Sequence, residues 1–408
     1  MTIDFDSEID YKGLSSLKWE FIVRDGEPEP WNGTDPELGA DRVLSMWVAD
    51  MDFHVAEPIV AALQRRVERG IYGYAGKTAE YVHAVINWIE RRHGWSADQN
   101  WIVPTVGIVP ALYMIVRQFT KPGDGVLIQR PVYHPFTHAV ENNGREVVCN
   151  PLRLQGDRYA MDFEDLEAKA MDSSVTLAIL CNPHNPVGRV WSEEEIHRFS
   201  EICTRHGVLV VSDEIHGDLI LPGHRFFSYG LLDREQMENS IICTAASKTF
   251  NLAGLKTSNL VIRNPDLRTR MKNEIRATGL WGLNPLGLVA TQAAYEHGES
   301  WLEEVIGYIS DNHDFLGRYI GEHIPQLHVI PPEATYLAWI DCRKLGLGEE
   351  VLSRMMMEDA KIYLDDGHIF GPEGSGFVRI NIACPRSRVE LALSRIRLAV
   401  EGTIVARK

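Results

Sequence analysis

The chain of 408 residues contains no run of about eighteen apolar residues, so nothing in it reads as a membrane-spanning helix. An excess of basic charge is missing too: 41 Lys and Arg stand against 57 Asp and Glu, a formal net charge of -16. That balance excludes the electrostatic footprint needed for nucleic acid or an anionic membrane surface. Cysteine is sparse and unpatterned. Cys149, Cys181, Cys203, Cys243, Cys342 and Cys384 show no CxxC spacing, which argues against a zinc site or a disulfide frame and predicts reduced thiols in a cytoplasmic protein. The opening stretch, MTIDFDSEIDYKGLSSLKWEF, is acidic and has no apolar core; it is expected to be neither a signal nor an anchor, and no DNA-binding segment is expected in it. Internal repeats, low-complexity tracts and flexible linkers are lacking.

What is present is an ordinary globular composition, 45% hydrophobic and 24% charged, in a chain long enough for a large core and a second, smaller domain. Short apolar runs rich in β-branched residues alternate with longer amphipathic stretches. GVLIQR (125–130), VTLAILC (175–181), GVLVVS (207–212), SIICT (240–244) and SNLVI (258–262) read as buried strands. Helices are predicted over 57–69 and 78–93, and most clearly in SEEEIHRFSEICTRHG, where Ser192 and Glu195 form a capping box and Gly207 ends the helix. This alternation predicts an α/β fold with a mostly parallel, doubly wound sheet. After about residue 290 the pattern changes to a long helix, strands at 335–341 and 377–383 and a closing helix from 386. The expectation is a large domain over 48–290 and a small one from 1–47 with 291–408.

Three predicted strands run into polar clusters: CNPHNPVG after Cys181, SDEIHGD after Val211 and AASK after Thr244. Ligands of parallel sheets bind outside the carboxyl ends of the strands, so these clusters are expected to share one crevice. A lysine, a carboxylate and an amide together suit pyridoxal 5'-phosphate: the amine forms a Schiff base, the carboxylate keeps the ring nitrogen protonated, and the amide donates to the ring oxygen. In TVGIVPALYMIVRQF, Gly107 opens a helix whose free N–H groups favour a phosphate, and Lys256 offers a positive charge. Each feature alone has a plainer reading: Lys248 as a surface lysine, Asp213 and Glu214 as a solvated loop end, Asn185 as a turn residue, Gly107 as a helix start. Asp213 and His216 lack further ligands at metal-binding spacing, so no metal is expected. GPEGSG (371–376) precedes a strand and reads as a loop, not a phosphate cradle. The joint order of the clusters carries the inference.

CNPHNPVGRVW, SDEIHGDL, SKTFNLAGLK and RINIACPRSR, in that order, resemble the fold type I pyridoxal-phosphate enzymes of the class I/II aminotransferase superfamily. MWVADMDF, YGYAG, RPVYHPF and DEIH narrow the resemblance to the MalY/PatB-type cystathionine β-lyases, or C–S lyases, over about residues 46 to 390. The resemblance implies that Lys248 is the Schiff-base lysine and the base for the Cα proton, that Asp213 pairs with the ring nitrogen, and that Asn185 bonds the ring oxygen. It implies that Tyr133 stacks on the ring, unless it is a plain core aromatic. Val106, Gly107, Ile108, Ser247 and Lys256 would hold the phosphate, and Tyr74, with Tyr72 second, would reach the phosphate of a neighbouring subunit in a homodimer. Arg379 would hold the substrate α-carboxylate, its plainer reading being a salt bridge between domains. Asp50 and Tyr74 would border the substrate. His216, among the cofactor contacts, stands where many aminotransferases have tyrosine, which favours the lyases.

The chain departs from the pattern at His54, in the stretch after YGYAG, and at Ala246, all bordering substrate or phosphate. The implied reaction is α,β-elimination of a cysteine-type thioether to pyruvate, ammonia and a thiol. The same constellation serves an aminotransferase or a β-replacement or cyclising enzyme of specialised metabolism, and a regulatory module is the non-enzyme alternative.

Overall fold

The computed structural model describes residues 3–24 and 26–406. Its main sheet has seven strands: β1 (Ile102–Thr105), β2 (Gly125–Ile128), β3 (Glu146–Cys149), β4 (Val175–Cys181), β5 (Leu209–Asp213), β6 (Ser240–Thr244) and β7 (Ser258–Val261). They lie in the order β1-β7-β6-β5-β4-β2-β3. Neighbours from β6 to β3 are parallel, whereas β7 runs antiparallel to both β6 and β1. The sheet is therefore mixed, with one reversed strand. β4 is buried at all but one position and β5 throughout, as strands covered on both faces must be.

The helices of twelve or more residues are α1 (Glu57–Glu68), α2 (Ala79–His93), α3 (Ile108–Phe119), α4 (Glu193–Arg205), α5 (Pro265–Ala277), α6 (Pro285–His297), α7 (Glu299–His323) and α8 (Arg386–Ala406). In α4, Ile196, Phe199, Ile202 and Cys203 are buried, and Ser192 and Glu195 close the predicted capping box, satisfying two otherwise orphaned N–H groups. Gly207, at φ +69°, leaves the helix in the left-handed region that glycine adopts without strain.

A second sheet follows β7 in the chain: β8 (His328–Val329), β9 (Leu337–Asp341), β10 (Asp365–Asp366) and β11 (Phe377–Asn381), in the order β8-β9-β11-β10 and antiparallel throughout. It shares an apolar core with α7 and α8 and with Leu44 and Met46 from near the start of the chain. GPEGSG forms a short 3-10 turn ahead of β11, a loop as expected.

The stretch between the opening segment and α1 is pinned by a buried charge cluster. Asp52 accepts hydrogen bonds from Trp19 Nε1 at 3.0 Å and Tyr11 Oη at 2.9 Å, and pairs with Lys18 Nζ and Arg388 Nη1, each at 3.0 Å. Two cations, a carboxylate and the Trp19 donor are thus buried together, with Tyr11 half-buried at their edge, which is tolerable because they are mutually paired.

Candidate active site

Parallel strands deliver their carboxyl ends to one edge of a sheet. Here β1 leads to Gly107, β2 to Tyr133, β4 to Asn185, β5 ends at Asp213 and β6 leads to Lys248. Because β7 is reversed, the residues before it lie on that same edge, and Lys256, two positions ahead of Ser258, is among them. The antiparallel strand so brings both lysines of TAASKTFNLAGLK to one place.

Lys248 lies in the short helix Ala246–Thr249. Its amine is held by the loop after Met46: Lys248 Nζ donates to Ala49 O at 2.8 Å, and Tyr336 Oη donates to the same oxygen at 2.7 Å. The loop is clamped from several sides. Asn381 Nδ2 donates to Val48 O at 2.6 Å and Asp50 O at 2.8 Å, Lys18 Nζ to Asp50 O at 3.1 Å, and Asn251 Nδ2 to Met51 O at 2.8 Å. Asn251 has φ +57°, a left-handed conformation that asparagine tolerates better than most residues. The next residue along, Thr249, donates to Asp218 Oδ2 at 2.7 Å, fixing the helix from behind. Burial pushes the Lys248 amine below the usual lysine range; Asp50 opposes the shift, and Arg379 and Lys256 add to it.

Asp213 is 3% exposed. Ile215 N donates to it at 3.2 Å, but burial outweighs that bond and pushes its carboxyl up to about 7. Glu214 is equally sequestered, bonded by Ser212 Oγ at 3.0 Å, Ser228 Oγ at 2.7 Å and Tyr229 N at 2.7 Å, so this is no solvated loop end. His216 is buried; desolvation, with the positive charges of Lys248 and Arg379, pushes it down to about 3. It is neutral at physiological pH, and its Nδ1 is buried without a hydrogen-bond partner.

Asn185 is buried and joins the two sheets. Its backbone carbonyl accepts from Tyr133 N at 3.0 Å, and its Oδ1 accepts from Arg379 Nη1 at 2.9 Å. Tyr133 is half-buried and packs against the core beside β2, and burial pushes its phenol up to about 12. Arg379, 5% exposed in the middle of β11, also donates through Nη2 to Trp47 O at 3.0 Å and forms an ion pair with Asp365 on β10. The pairing with Asp365 lies within one sheet, so the plainer reading of Arg379 as a salt bridge between domains does not describe it. Its Nε is buried and unpartnered.

At the other end, Gly107 precedes α3 with φ +137°, a conformation in which only glycine is at ease. No side chain caps that helix, so the N–H groups of its first turn face the edge without internal partners. The register that pairs Thr105 with Ser258 sets Val106, Gly107 and Ile108 beside the segment of Lys256, which is exposed and left-handed at φ +48°, and Ser247, after β6, is half-buried. Tyr74 stands apart from the crevice, 95% exposed, its ring 5.8 Å from that of Trp281. Tyr72, in the loop after α1, is tied back to that helix, Oη donating to Val67 O at 3.0 Å. His54 is exposed and its carbonyl accepts from Trp301 Nε1 at 3.2 Å. Among the described residues no group of three or more His, Cys, Asp and Glu side chains could hold a metal ion, and no helix is long and apolar enough to cross a membrane.

These residues fit pyridoxal 5'-phosphate. Burial pushes the Asp213 carboxyl up to about 7, and a protonated pyridine nitrogen would supply the neighbouring cation that favours its charged form. An uncapped helix N-terminus beside a lysine suits a phosphate. The site also contains groups that motif reading passed over. The Ala49 carbonyl leaves no mark in a sequence, being backbone. Tyr336 and Asp365 sit in ordinary strand contexts, YLAWID and YLDDG, and only the pairing of β9, β10 and β11 brings them to the crevice.

Residues 44–396 match the model of the aminotransferase class I and II family. Cystathionine β-lyase PatB of Bacillus subtilis (strain 168) is 41% identical over 398 residues, 98% of this chain and 100% of PatB. Among solved structures, cystalysin from Treponema denticola, which contains pyridoxal 5'-phosphate, is 36% identical with a TM-score of 0.92, over 98% of this chain and 100% of cystalysin. The pyridoxal-phosphate-bound C–S lyase from Staphylococcus hominis is 32% identical with a TM-score of 0.87, over 98% of each chain.

Proposed function

Because the chain belongs to the aminotransferase class I and II family and matches C–S lyases along nearly its whole length, we propose that it cleaves cysteine-type thioethers by α,β-elimination, yielding pyruvate, ammonia and a thiol. It is an enzyme of the pyridoxal 5'-phosphate-dependent fold type I class. We read it as two domains, 48–290 and 1–47 with 291–408, and as cytoplasmic on the strength of six free cysteines.

When bound, the cofactor supplies an electron sink that makes the substrate Cα–H acidic. In our reading Lys248 tethers it, Asp213 holds its ring nitrogen positive, Asn185 donates to its ring oxygen and Tyr133 covers one face. Val106, Gly107, Ile108, Ser247 and Lys256 would hold the phosphate, and the neutral His216, whose ring lies edge-on to that of Tyr336, would line the cofactor pocket. Arg379 then takes the substrate α-carboxylate through its unpartnered Nε, with Asn185 orienting the guanidinium, and Asp50 borders the amino group. The observation that carries this reading is the convergence of Lys248, Asp213 and Asn185 on one sheet edge, with Arg379 delivered to Asn185 from the other sheet.

Lys248 accepts the Cα proton as a neutral amine, a form that its burial favours. The Cβ–S bond breaks with its electron pair going to sulfur, and the resulting Lys248 ammonium is placed to protonate the departing thiolate. Ala49 O orients the lysine between these tasks. Water then releases ammonia and pyruvate, so that one thioether and one water give one thiol, one pyruvate and one ammonia.

We also propose a homodimer. Ile71, Tyr72, Tyr74, Leu280 and Trp281 form an exposed apolar surface, and in this reading Tyr74 would reach a neighbouring copy's phosphate and substrate. The deciding experiment incubates the purified holoenzyme with L-cystathionine and simple S-substituted cysteines. Pyruvate and thiol in equal amounts are expected; keto-acid formation dependent on an amino acceptor, without thiol, would make it an aminotransferase.

A further inference from the structure

Arg379 does not wait uncommitted for a carboxylate. Its cross-strand partner in the register of β10 and β11 is Asp365, so the backbone pairing itself sets the two side chains together. Both are buried, with side-chain exposures of 5% for Arg379 and 9% for Asp365, and they form an ion pair. Of the five guanidinium N–H groups, Nη1 gives one to Asn185 Oδ1 at 2.9 Å and Nη2 gives its two to Trp47 O at 3.0 Å and to Asp365 Oδ2. The Nε–H and one Nη1 N–H remain for a ligand, and Nε is buried without a partner.

From these contacts, and resting on the carboxylate role proposed for Arg379, we propose that Asp365 couples this subsite to protons: it neutralises Arg379 in the free enzyme and takes up a proton from solvent when a substrate carboxylate binds there.

Two carboxylates on one buried guanidinium repel each other, which pushes one of them toward its protonated form. Among the described residues the one cation in an ion pair with Asp365 is Arg379. The titratable groups facing Asp365 are Arg379 across the strand pair, Asp366 and Tyr363 on its own segment, and Tyr133 from the loop after β2. Through Arg379 the field extends to His134, His216 and Lys248, of which burial keeps both histidines neutral at physiological pH. Burial already raises Asp365, against the pull of Arg379, before any ligand arrives. The consequence is a carboxylate subsite that weakens as pH rises.

The test is calorimetric titration of the holoenzyme with propanoate, a carboxylate without an amine, in two buffers of different ionisation enthalpy at pH 8. Cofactor absorbance is followed in parallel so that protons taken up there are subtracted. Wild type is expected to take up about one further proton per propanoate bound, and Asp365→Asn none, with roughly tenfold tighter binding. Unchanged affinity and unchanged uptake in Asp365→Asn would overturn the inference. Should that variant not fold, wild type decides alone: uptake beyond the cofactor's supports the inference, and its absence overturns it. Arg379→Lys separates the two claims, because if it binds propanoate as wild type does, the carboxylate role of Arg379 itself is wrong.

Discussion

Lys248 and Tyr336 share a single acceptor, the Ala49 carbonyl, with donor distances of 2.8 and 2.7 Å. The tyrosine therefore acts on the lysine without touching it, by fixing the oxygen against which the amine rests. Tyr336 is buried, so its hydroxyl has few alternatives. Tyr336→Phe removes one neutral hydrogen bond and leaves the ring in place. The expected outcome is a fall in kcat of roughly fivefold with little change in KM, the signature of an interaction that orients the base and not the substrate. Steady-state kinetics on one thioether checks it; a rise in KM at constant kcat would show that Tyr336 serves binding.

Asp213 ties stability to pH in the absence of cofactor. Its folded value of about 7 lies above the ordinary 3.8, so the folded apo-protein holds a proton that the unfolded chain releases. That contribution is complete below pH 4 and disappears as pH rises through about 7, amounting to roughly 4 kcal/mol over the interval. Apo-protein is expected to lose stability between pH 5 and pH 8, and Asp213→Asn to flatten the loss. Cofactor binding supplies the missing cation, so the holoenzyme should not share it. Urea unfolding of apo and holo forms at the two pH values measures the difference; a slope of equal size in apo Asp213→Asn would assign it to other groups.

Asp52 holds two buried cations at once, Lys18 and Arg388. Replacing it by alanine leaves Lys18 without its carboxylate and Arg388 with only Glu8 at 3.5 Å, and it frees Lys18, which also anchors the Asp50 carbonyl in the loop that carries Ala49. Asp52→Ala is expected to cost about 3–5 kcal/mol, and to reduce kcat because the loop loses a clamp. Denaturant unfolding at fixed cofactor concentration, beside kinetics at a temperature where the variant is folded, checks both. A loss below about 1 kcal/mol would mean that the cluster is far less dependent on its charge than its burial implies.

Much of the fold was legible because burial leaves a periodic trace. The runs 175–181 and 240–244 are strands to the residue, and the Ser192–Glu195 box opens its helix as read. Strand direction leaves no such trace: a buried antiparallel strand has the same composition as a parallel one, so the reversal of β7 was invisible although it explains how Lys256 comes to the same edge as Lys248. The site divides the same way. Lys248, Asp213 and Asn185 follow strand ends and were found there. Asp365 meets Arg379 through the register of two strands fourteen residues apart at those positions, and a single sequence does not encode register.

Tyr74 tests the dimer. It is 95% exposed and bordered by Tyr72, Ile71 and Trp281, an arrangement that leaves large apolar area in water unless another copy covers it. If Tyr74 serves the neighbouring site, a protein with Lys248→Ala and another with Tyr74→Ala each have damaged sites in isolation, but a mixed dimer has one site with both lesions and one with neither. Random exchange at equal concentrations makes half the dimers mixed, each with one intact site of two, so about a quarter of wild-type activity should return on mixing. Co-expression with two affinity tags isolates the mixed dimer directly and raises the expectation to about half. If the mixed dimer stays at the level of the Tyr74→Ala protein alone, the tyrosine acts within its own chain or not at all, and the exposed surface around it needs a different partner.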